Sequence, residues 1–141
     1  MTTSEAVICE PLRTAVGGYG GMYRDVPAIT GFIQSLPDIG KPITERTEAW
    51  VLFDNDNLYV VCRCWDSAPR SQWVANEMRR DSSQIRENDG FGVMLDTFYD
   101  RRNAVNFVTN ALGGLLDTQY TNEGNPNPDW NAVWTVHTAP F

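Results

Sequence analysis

Two strand-like runs on either side of a short turn constrain the fold of this chain more than any other feature. The runs are 47–53 (TEAWVLF) and 58–65 (LYVVCRCW), and the turn is 54–57 (DNDN). β-Branched and aromatic residues favour strands, whereas Asp and Asn favour tight turns. The pattern therefore predicts a β-hairpin. Both runs are apolar at nearly every position, which is typical of strands that are covered on both faces or carry a binding surface.

The same alternation of strands and turns continues toward the C-terminal end. Residues 110–114 (NALGG) predict the turn of another hairpin, because Asn and Gly adopt positive φ readily. Residues 69–90 predict an irregular connection with one helical turn near 77–80, and 122–129 predict an exposed loop. Further strands are predicted at 91–98, 104–109, 115–121 and 130–136. With no long amphipathic helix, the chain predicts an all-β fold, an antiparallel β-sandwich of the layered, immunoglobulin-like kind.

The N-terminal residues give a weaker signal than the rest of the chain. Four glycines surround Tyr19 within residues 17–21, which is typical of a mobile or tightly turned segment. A phosphate-binding loop would need G-x-x-x-x-G-K-[ST] followed by a helix, and the sequence has neither. We therefore divide the 141 residues into a poorly defined segment, 1–22, and one folded module, 23–141.

The charge balance and hydropathy argue against two classes of partner. Eleven basic residues stand against 18 acidic ones, a formal net charge of -7. Binding to nucleic acid needs positive charge to displace counterions, so no nucleic acid partner is expected. No apolar run of 18 residues is present, so no transmembrane segment is expected. No charged-then-apolar leader opens the sequence, and we expect any secretion signal to lie outside it.

Cysteine and histidine offer little catalytic chemistry. Cys62 and Cys64 alternate in a strand and are interpreted as small apolar residues on one face, and with Cys9 they are too few for a disulfide framework. Zinc needs four ligands, and only His137 could join the C-x-C pair. The same histidine is the only candidate for a Ser–His–Asp triad, or for a haem ligand beside a methionine such as Met94.

Acidic residues leave three interpretations open. A pair of carboxylates could act as in glycosidases, with Asp81, Asp89, Asp96, Asp100 and Asp117 as the candidates. Calcium prefers carboxylate and carbonyl oxygens and could bind in the Asp/Asn-rich loops, with Asp54, Asp56 and Asp89 as candidate ligands. Ordinary capping of turns by Asp and Asn is the favoured alternative to both.

Tryptophan is the stronger functional lead. Sugar rings stack their apolar faces on indoles, while their hydroxyls bind Asn, Asp and Arg side chains. Trp134 lies in an apolar run and is assigned to the core, whereas Trp73 and Trp130 border irregular segments and are expected to be partly exposed. The predicted carbohydrate-binding residues are Trp73, Arg86, Trp130 and Asn131.

A series of short motifs follows in order along residues 23–136. They are Arg46-Thr47-Glu48, Phe53 to Val60 (FDNDNLYV), Asp66, Arg80-Asp81, Asp89 to Phe98 (DGFGVMLDTF), Asp100 to Ala104 (DRRNA), Phe107, Asn110, Gly113, Asp117, and Trp130 to Trp134 (WNAVW). In this order the set resembles the family 9 carbohydrate-binding-module-like domain. The variety that this chain most resembles is the one found at the front of large secreted or outer-membrane-associated bacterial proteins, before a longer C-terminal region.

That resemblance implies a jelly-roll β-sandwich, non-catalytic sugar binding, and calcium in some members. It also implies further C-terminal strands beyond residue 141. We expect a carbohydrate partner, with plant-type polysaccharide as one candidate, and a covalently attached C-terminal domain. The expected location is periplasmic, cell-surface or secreted in a bacterium. The alternatives are a structural domain that docks onto its own chain and self-associates when isolated, and a glycoside hydrolase.

Overall fold

The computed structural model describes residues 3–8, 28–30, 32–34 and 39–140. Over these residues the chain forms eight strands and two short 3₁₀ helices. The strands are β1 (Thr3–Ile8), β2 (Thr47–Phe53), β3 (Leu58–Asp66), β4 (Gly90–Leu95), β5 (Ala104–Asn110), β6 (Leu115–Thr121), β7 (Asn125–Asn127) and β8 (His137–Pro140). The 3₁₀ helices are Arg70–Gln72 and Ser83–Glu87. All strand pairs are antiparallel, which confirms the predicted all-β fold.

The first sheet has the strand order β2-β3-β1-β8. β2 and β3 form the predicted hairpin, with Phe53 opposite Leu58 at its end. The Asp54 carboxylate holds the turn, because it accepts hydrogen bonds from the backbone N–H groups of Asp56 and Asn57 and from the Tyr59 hydroxyl. These donors keep the pKa of Asp54 below its usual value, the Tyr59 hydroxyl contributing most. Among the side chains of this sheet that the structure describes, Ala49, Tyr59, Val60 and Cys62 are buried.

The second sheet has the strand order β4-β5-β6-β7. The β5–β6 hairpin turns through Gly113, whose φ of +84° lies in the left-handed region that glycine adopts without strain. The β6–β7 turn places two non-glycine residues, Asn122 and Glu123, at positive φ. Such mirror-image turns match the right-handed twist of the strands they join.

Side chains of the second sheet alternate between two faces. Phe107 and Asp117 are paired across β5 and β6 on one face, while Asn106 and Thr118 are paired on the opposite face. The Phe107 face is covered by residues 130–134, whose indoles contact the Phe107 ring. The Thr118 face is partly covered by the second 3₁₀ helix, where Ile85 is fully buried.

A buried asparagine anchors the segment that runs from β3 to β4 onto the β5–β6 hairpin. Asn110 is 0% exposed, and its Nδ2 donates to the Glu77 carbonyl at 2.6 Å and to the Asn88 side-chain oxygen at 2.9 Å. Its Oδ1 accepts from the backbone N–H groups of Leu112 and Gly114. Every donor and acceptor of a buried amide is thus satisfied. A Cβ on Gly114 would lie 2.8 Å from the Glu77 carbonyl, so the close approach requires glycine.

Some predicted elements were placed wrongly. The predicted strand 130–136 is irregular, because its backbone bonds to the Asp117 carboxylate through Ala132 rather than to a neighbouring strand, and β8 begins only at His137. β4 ends at Leu95, since Asp96 accepts backbone hydrogen bonds from the loop that follows. The connection 69–90 has two helical turns, at Arg70–Gln72 and Ser83–Glu87, rather than one near 77–80.

Three strands were missed by the sequence prediction, one of them β8, which lies wholly beyond the predicted strand 130–136. β7 lies in the predicted loop 122–129, and β1 lies within the first 22 residues, where no element was predicted. The glycine-rich run 17–21 and Cys9 lie outside the described residues. Face-to-face stacking of the two sheets as a sandwich stays a prediction.

Candidate functional site

An open cleft of about 680 Å³ lies on the second sheet. Its floor is formed by Met94, Ala104 and Tyr120, one residue from each of three neighbouring strands. Asn106 and Thr118 mark one face of the sheet. Ala104 and Tyr120 lie two positions from them on the same strands, and Met94 is in register with Asn106, so all three floor residues lie on this Thr118 face. The volume falls within the range of about 300–1,000 Å³ found for ligand pockets.

Two loops form the walls of the cleft. The β4–β5 loop contributes Asp96 and residues 101–103, and the β6–β7 turn contributes Glu123 and Gly124. The first loop is ordered by its own carboxylates: Asp96 accepts the backbone N–H of Arg101 at 2.7 Å, and Asp100 accepts those of Arg102 and Asn103. The backbone N–H of Arg102 contributes most to keeping the pKa of Asp100 below its usual value.

The backbone of both loops is held in an uncommon conformation. Five non-glycine residues with positive φ occur among those the structure describes, and four of them lie in these loops: Tyr99, Arg101, Asn122 and Glu123. Left-handed backbone costs about 1–2 kcal/mol for an ordinary residue. Such conformations cluster at ligand sites, where the surrounding structure over-determines them.

The cleft presents one cation that the protein does not neutralise. Arg102 and Glu123 form an exposed ion pair at 3.1 Å, and Asp96 binds backbone N–H groups. The Arg101 guanidinium, by contrast, has no partner within the described part of the chain. The cleft is therefore lined by an aromatic ring and a guanidinium, a combination suited to a polyhydroxylated ligand, and by the Asn103 amide, which already donates to Asp100 and accepts from the Asn122 N–H.

Arg86 lies at the edge of this cleft. Its guanidinium donates to the Tyr120 hydroxyl at 3.4 Å and to the Thr118 hydroxyl at 3.1 Å. The 3₁₀ helix Ser83–Glu87 carries Arg86 over this face because Ile85, beside it, is buried against the sheet. Arg86 is the one predicted carbohydrate-binding residue with a contact to the cleft lining.

Trp130 and Asn131 lie on the opposite face of the sheet. The Trp130 ring packs edge-on against Phe107, with a centroid separation of 6.0 Å. The Asn131 side chain accepts a hydrogen bond from Arg80 Nε at 3.3 Å. Since Arg86 contacts Thr118 and Trp130 contacts Phe107, the sheet separates them, and the predicted residues do not form one site.

The contacts of Asn131 belong to a polar cluster, the Asp117 network, which sequence reasoning missed. Asp117 is 0% exposed; its Oδ1 accepts from Arg80 at 2.7 Å and from the Trp134 indole at 3.0 Å, and its Oδ2 accepts from the Ala132 N–H at 2.7 Å. Buried carboxylates are stable only when paired and hydrogen-bonded in this way. The sequence marks Asp117 as a candidate catalytic carboxylate, and every member of the network also lies in a motif of the family resemblance.

Trp73 contacts neither the cleft nor the Asp117 network. It follows the first 3₁₀ helix, with the Arg70 guanidinium 5.2 Å from its ring centroid. Its indole N–H is buried and has no hydrogen-bond partner among the described residues. The adjacent Val74 pairs through its backbone with Asp89, so Trp73 lies near the start of β4.

The three candidate calcium ligands lie in turns of different sheets. Asp54 and Asp56 share the β2–β3 turn, where both oxygens of Asp54 accept hydrogen bonds from the protein. Asp89 precedes β4 and accepts the Val74 N–H at 2.7 Å. In the described part of the chain, no group of three His, Cys, Asp or Glu side chains is placed to hold a metal ion. Calcium binding stays a prediction.

Comparisons with known proteins give partial similarity only. The chain is 34% identical over 67 residues to disulfide bond formation protein B of Neisseria meningitidis serogroup C / serotype 2a, and equally to that of serogroup B. Each match covers 38% of this chain and 41% of the relative, so the chain spans about two fifths of the length of the curated relatives it matches. No protein-family model and no solved structure matches the chain. Within the described ranges, no helix is long and apolar enough to cross a membrane.

Proposed function

We propose that this chain is a non-catalytic carbohydrate-binding module and that its sugar site is the cleft on the Thr118 face of the second sheet. The proposal rests on one observation: a cleft of ligand size is lined by Tyr120, Arg101 and Asn103. A sugar ring has an apolar face that packs on an aromatic side chain and hydroxyls that bind amides and guanidinium groups.

The fixed conformation of the β4–β5 loop favours ligand binding. The Asp96 and Asp100 carboxylates fix the β4–β5 loop before any ligand arrives. A preformed site loses less conformational entropy on binding than a flexible one. The ordered motifs that resemble the family 9 carbohydrate-binding modules support the same class of ligand. In this proposal the module belongs to a larger bacterial envelope or secreted protein and is covalently joined to a further domain.

Isothermal titration against a panel of oligosaccharides, including xylan and cellulose fragments, tests this function. We expect saturable heat for at least one sugar, and Tyr120→Ala should weaken that affinity at least tenfold because it removes the floor of the cleft. Val133→Ser is the matched control, since Val133 is fully exposed in the segment that covers the opposite face. Absence of heat across the panel at about millimolar ligand, where binding free energy is only about -4 kcal/mol, would refute the proposal.

A second candidate function is an interaction domain that docks onto the rest of its own chain. The observation that favours it is the exposure of large apolar side chains around the first hairpin: Phe53 is 78% exposed and its register partner Leu58 is 48% exposed. Exposed apolar patches commonly mark protein contacts. This function predicts self-association in sedimentation velocity that Phe53→Ser reduces, and a strictly monomeric wild-type chain would count against it.

A further inference from the structure

One side of the second sheet ends at β4, and the outer edge of this strand is open. At the start of the β4–β5 ladder, the Ala111 N–H donates to the Asp89 carbonyl at 3.3 Å. Bonded pairs recur at every second residue of an antiparallel ladder, so the backbone groups of Gly90, Gly92 and Met94 point away from β5. All three residues are exposed, and no described part of the chain bonds to these outward groups. β4 therefore presents a row of unpaired N–H and C=O groups.

The other edges that the structure describes are short or already occupied. β7 and β8 have only three and four residues, and each contains a proline, Pro126 or Pro140, which has no N–H to donate. On the outer side of β2, Ala49 already exchanges two backbone hydrogen bonds with Ile29. β4 contains neither a proline nor a charged residue, the features that commonly protect an edge strand from pairing. A further strand is therefore accommodated at β4.

The side chains of β4 are complementary to those of a second copy of the same strand. When two antiparallel copies are related by a two-fold axis at Gly92, Gly90 lies opposite the partner's Met94. Each outward N–H then meets an outward C=O, because the outward-pointing residues of one copy face those of the other. On the other face of the sheet, Phe91 lies opposite the partner's Val93, an aromatic and β-branched pair of the kind that stabilises sheets.

The carboxylates that flank β4 allow this register. The chain carries a formal net charge of -7, and like charges placed directly opposite each other destabilise a strand pair. With the axis at Gly92, Asp89 lies opposite the partner's Leu95, and Asp96 lies opposite the partner's Asn88. A shift by one residue in the C-terminal direction would instead place Asp89 opposite the partner's Asp96. Charge therefore favours a second copy in this register over the neighbouring one.

We propose that two copies of this chain associate through β4, as antiparallel edge strands related by a two-fold axis at Gly92. The two four-stranded sheets become one continuous sheet, and each open edge is closed by the other. Because the axis is perpendicular to the sheet, the clefts of both copies open on the same side. This contact does not depend on sugar binding in the cleft, and it lies on a different sheet from the hairpin that carries Phe53.

Amide hydrogen exchange of the full wild-type chain tests the contact without a substitution. The N–H groups of Gly90, Gly92 and Met94 point outward from the ladder, so we expect fast exchange in dilute protein. In concentrated protein their exchange should be at least tenfold slower, whereas that of Val93, which bonds to β5 in both states, should change little. Sedimentation equilibrium of the same samples should show the mass rising from 15.9 kDa toward twice that value.

Charge substitutions at Gly92 test the register. A Cβ at this position would lie 3.4 Å from Cγ2 of Val108, an ordinary contact, so the monomer accepts a side chain there. Gly92→Lys and Gly92→Asp should each raise the dissociation constant of the dimer at least tenfold, because two like charges then lie opposite each other across the axis. An equal mixture of the two variants should dimerise again. Gly92→Ala and Phe53→Ser are the controls and should dimerise like the wild type.

The proposal is overturned if the wild-type chain stays monomeric at about millimolar concentration, or if its outward amides exchange equally fast at both concentrations. It is also overturned if Gly92→Lys dimerises as tightly as the wild type, if mixing the charged variants restores no dimer, or if Phe53→Ser rather than Gly92→Lys abolishes association. Where the charged variants fail to fold, the exchange measurement on the wild type decides the outcome.

Discussion

Replacing Asn110 with alanine should remove four hydrogen bonds at once. The Asn110 side chain is fully buried and bonds to Glu77, Asn88, Leu112 and Gly114. At about 1 kcal/mol of net stability per hydrogen bond, Asn110→Ala should lower the free energy of unfolding by about 4 kcal/mol. A domain of this size loses roughly 3 °C of Tm per kcal/mol, so Tm should fall by roughly 12 °C.

Urea unfolding followed by tryptophan fluorescence measures this change. Asn106→Ala is the matched control, because Asn106 lies on the same strand and face but its side chain has no hydrogen bond within the described part of the chain. The control should change the free energy of unfolding by less than about 1 kcal/mol. If Asn110→Ala stays within about 1 kcal/mol of wild type, then the buried amide does not anchor the connection to the hairpin, and the reasoning is refuted.

Two further predictions concern charged groups. Arg80→Met leaves the buried Asp117 carboxylate without its cation and should lower the free energy of unfolding by about 3 kcal/mol, measured by urea unfolding; a change below about 1 kcal/mol would contradict the role given to the Asp117 network. Hydrogen bonds from the Arg79 guanidinium lower the pKa of Glu77 from 4.5 to about 2, so its contribution to stability is complete above pH 4.5 and is lost as the pH falls toward 2. Glu77→Gln should flatten the pH dependence of unfolding in this window, and an unchanged slope would show that Glu77 is not the titrating group.

The hairpins were predictable because their signals are local. The turn at 54–57 and the turn at 110–114 each join two runs of β-favouring residues, and both strand pairs formed as predicted. The segment 130–136 misled the prediction, because its alternating apolar residues pack on Phe107 and bond to Asp117 instead of joining a ladder. Such a choice depends on partners distant in sequence.

The cleft was not predictable for a related reason. Its walls come from the loops 96–103 and 122–124, each of which reads in the sequence as an ordinary polar turn. Asn122-Glu123-Gly124 is a turn signal, yet nothing local shows that it faces the β4–β5 loop across Tyr120. Arg86 was selected from the sequence as a sugar contact, but its approach to Tyr120 depends on how Ile85 is buried.

Chemical-shift mapping of the labelled full chain during titration with an oligosaccharide tests sugar binding in the cleft most directly. We predict saturable shifts of the amides of Met94, Asn103, Tyr120 and Gly124, with the indole signals of Trp130 and Trp134 unchanged. Shifts confined to those two indoles, or no shifts at about millimolar sugar, would contradict the assignment of the cleft as the carbohydrate site.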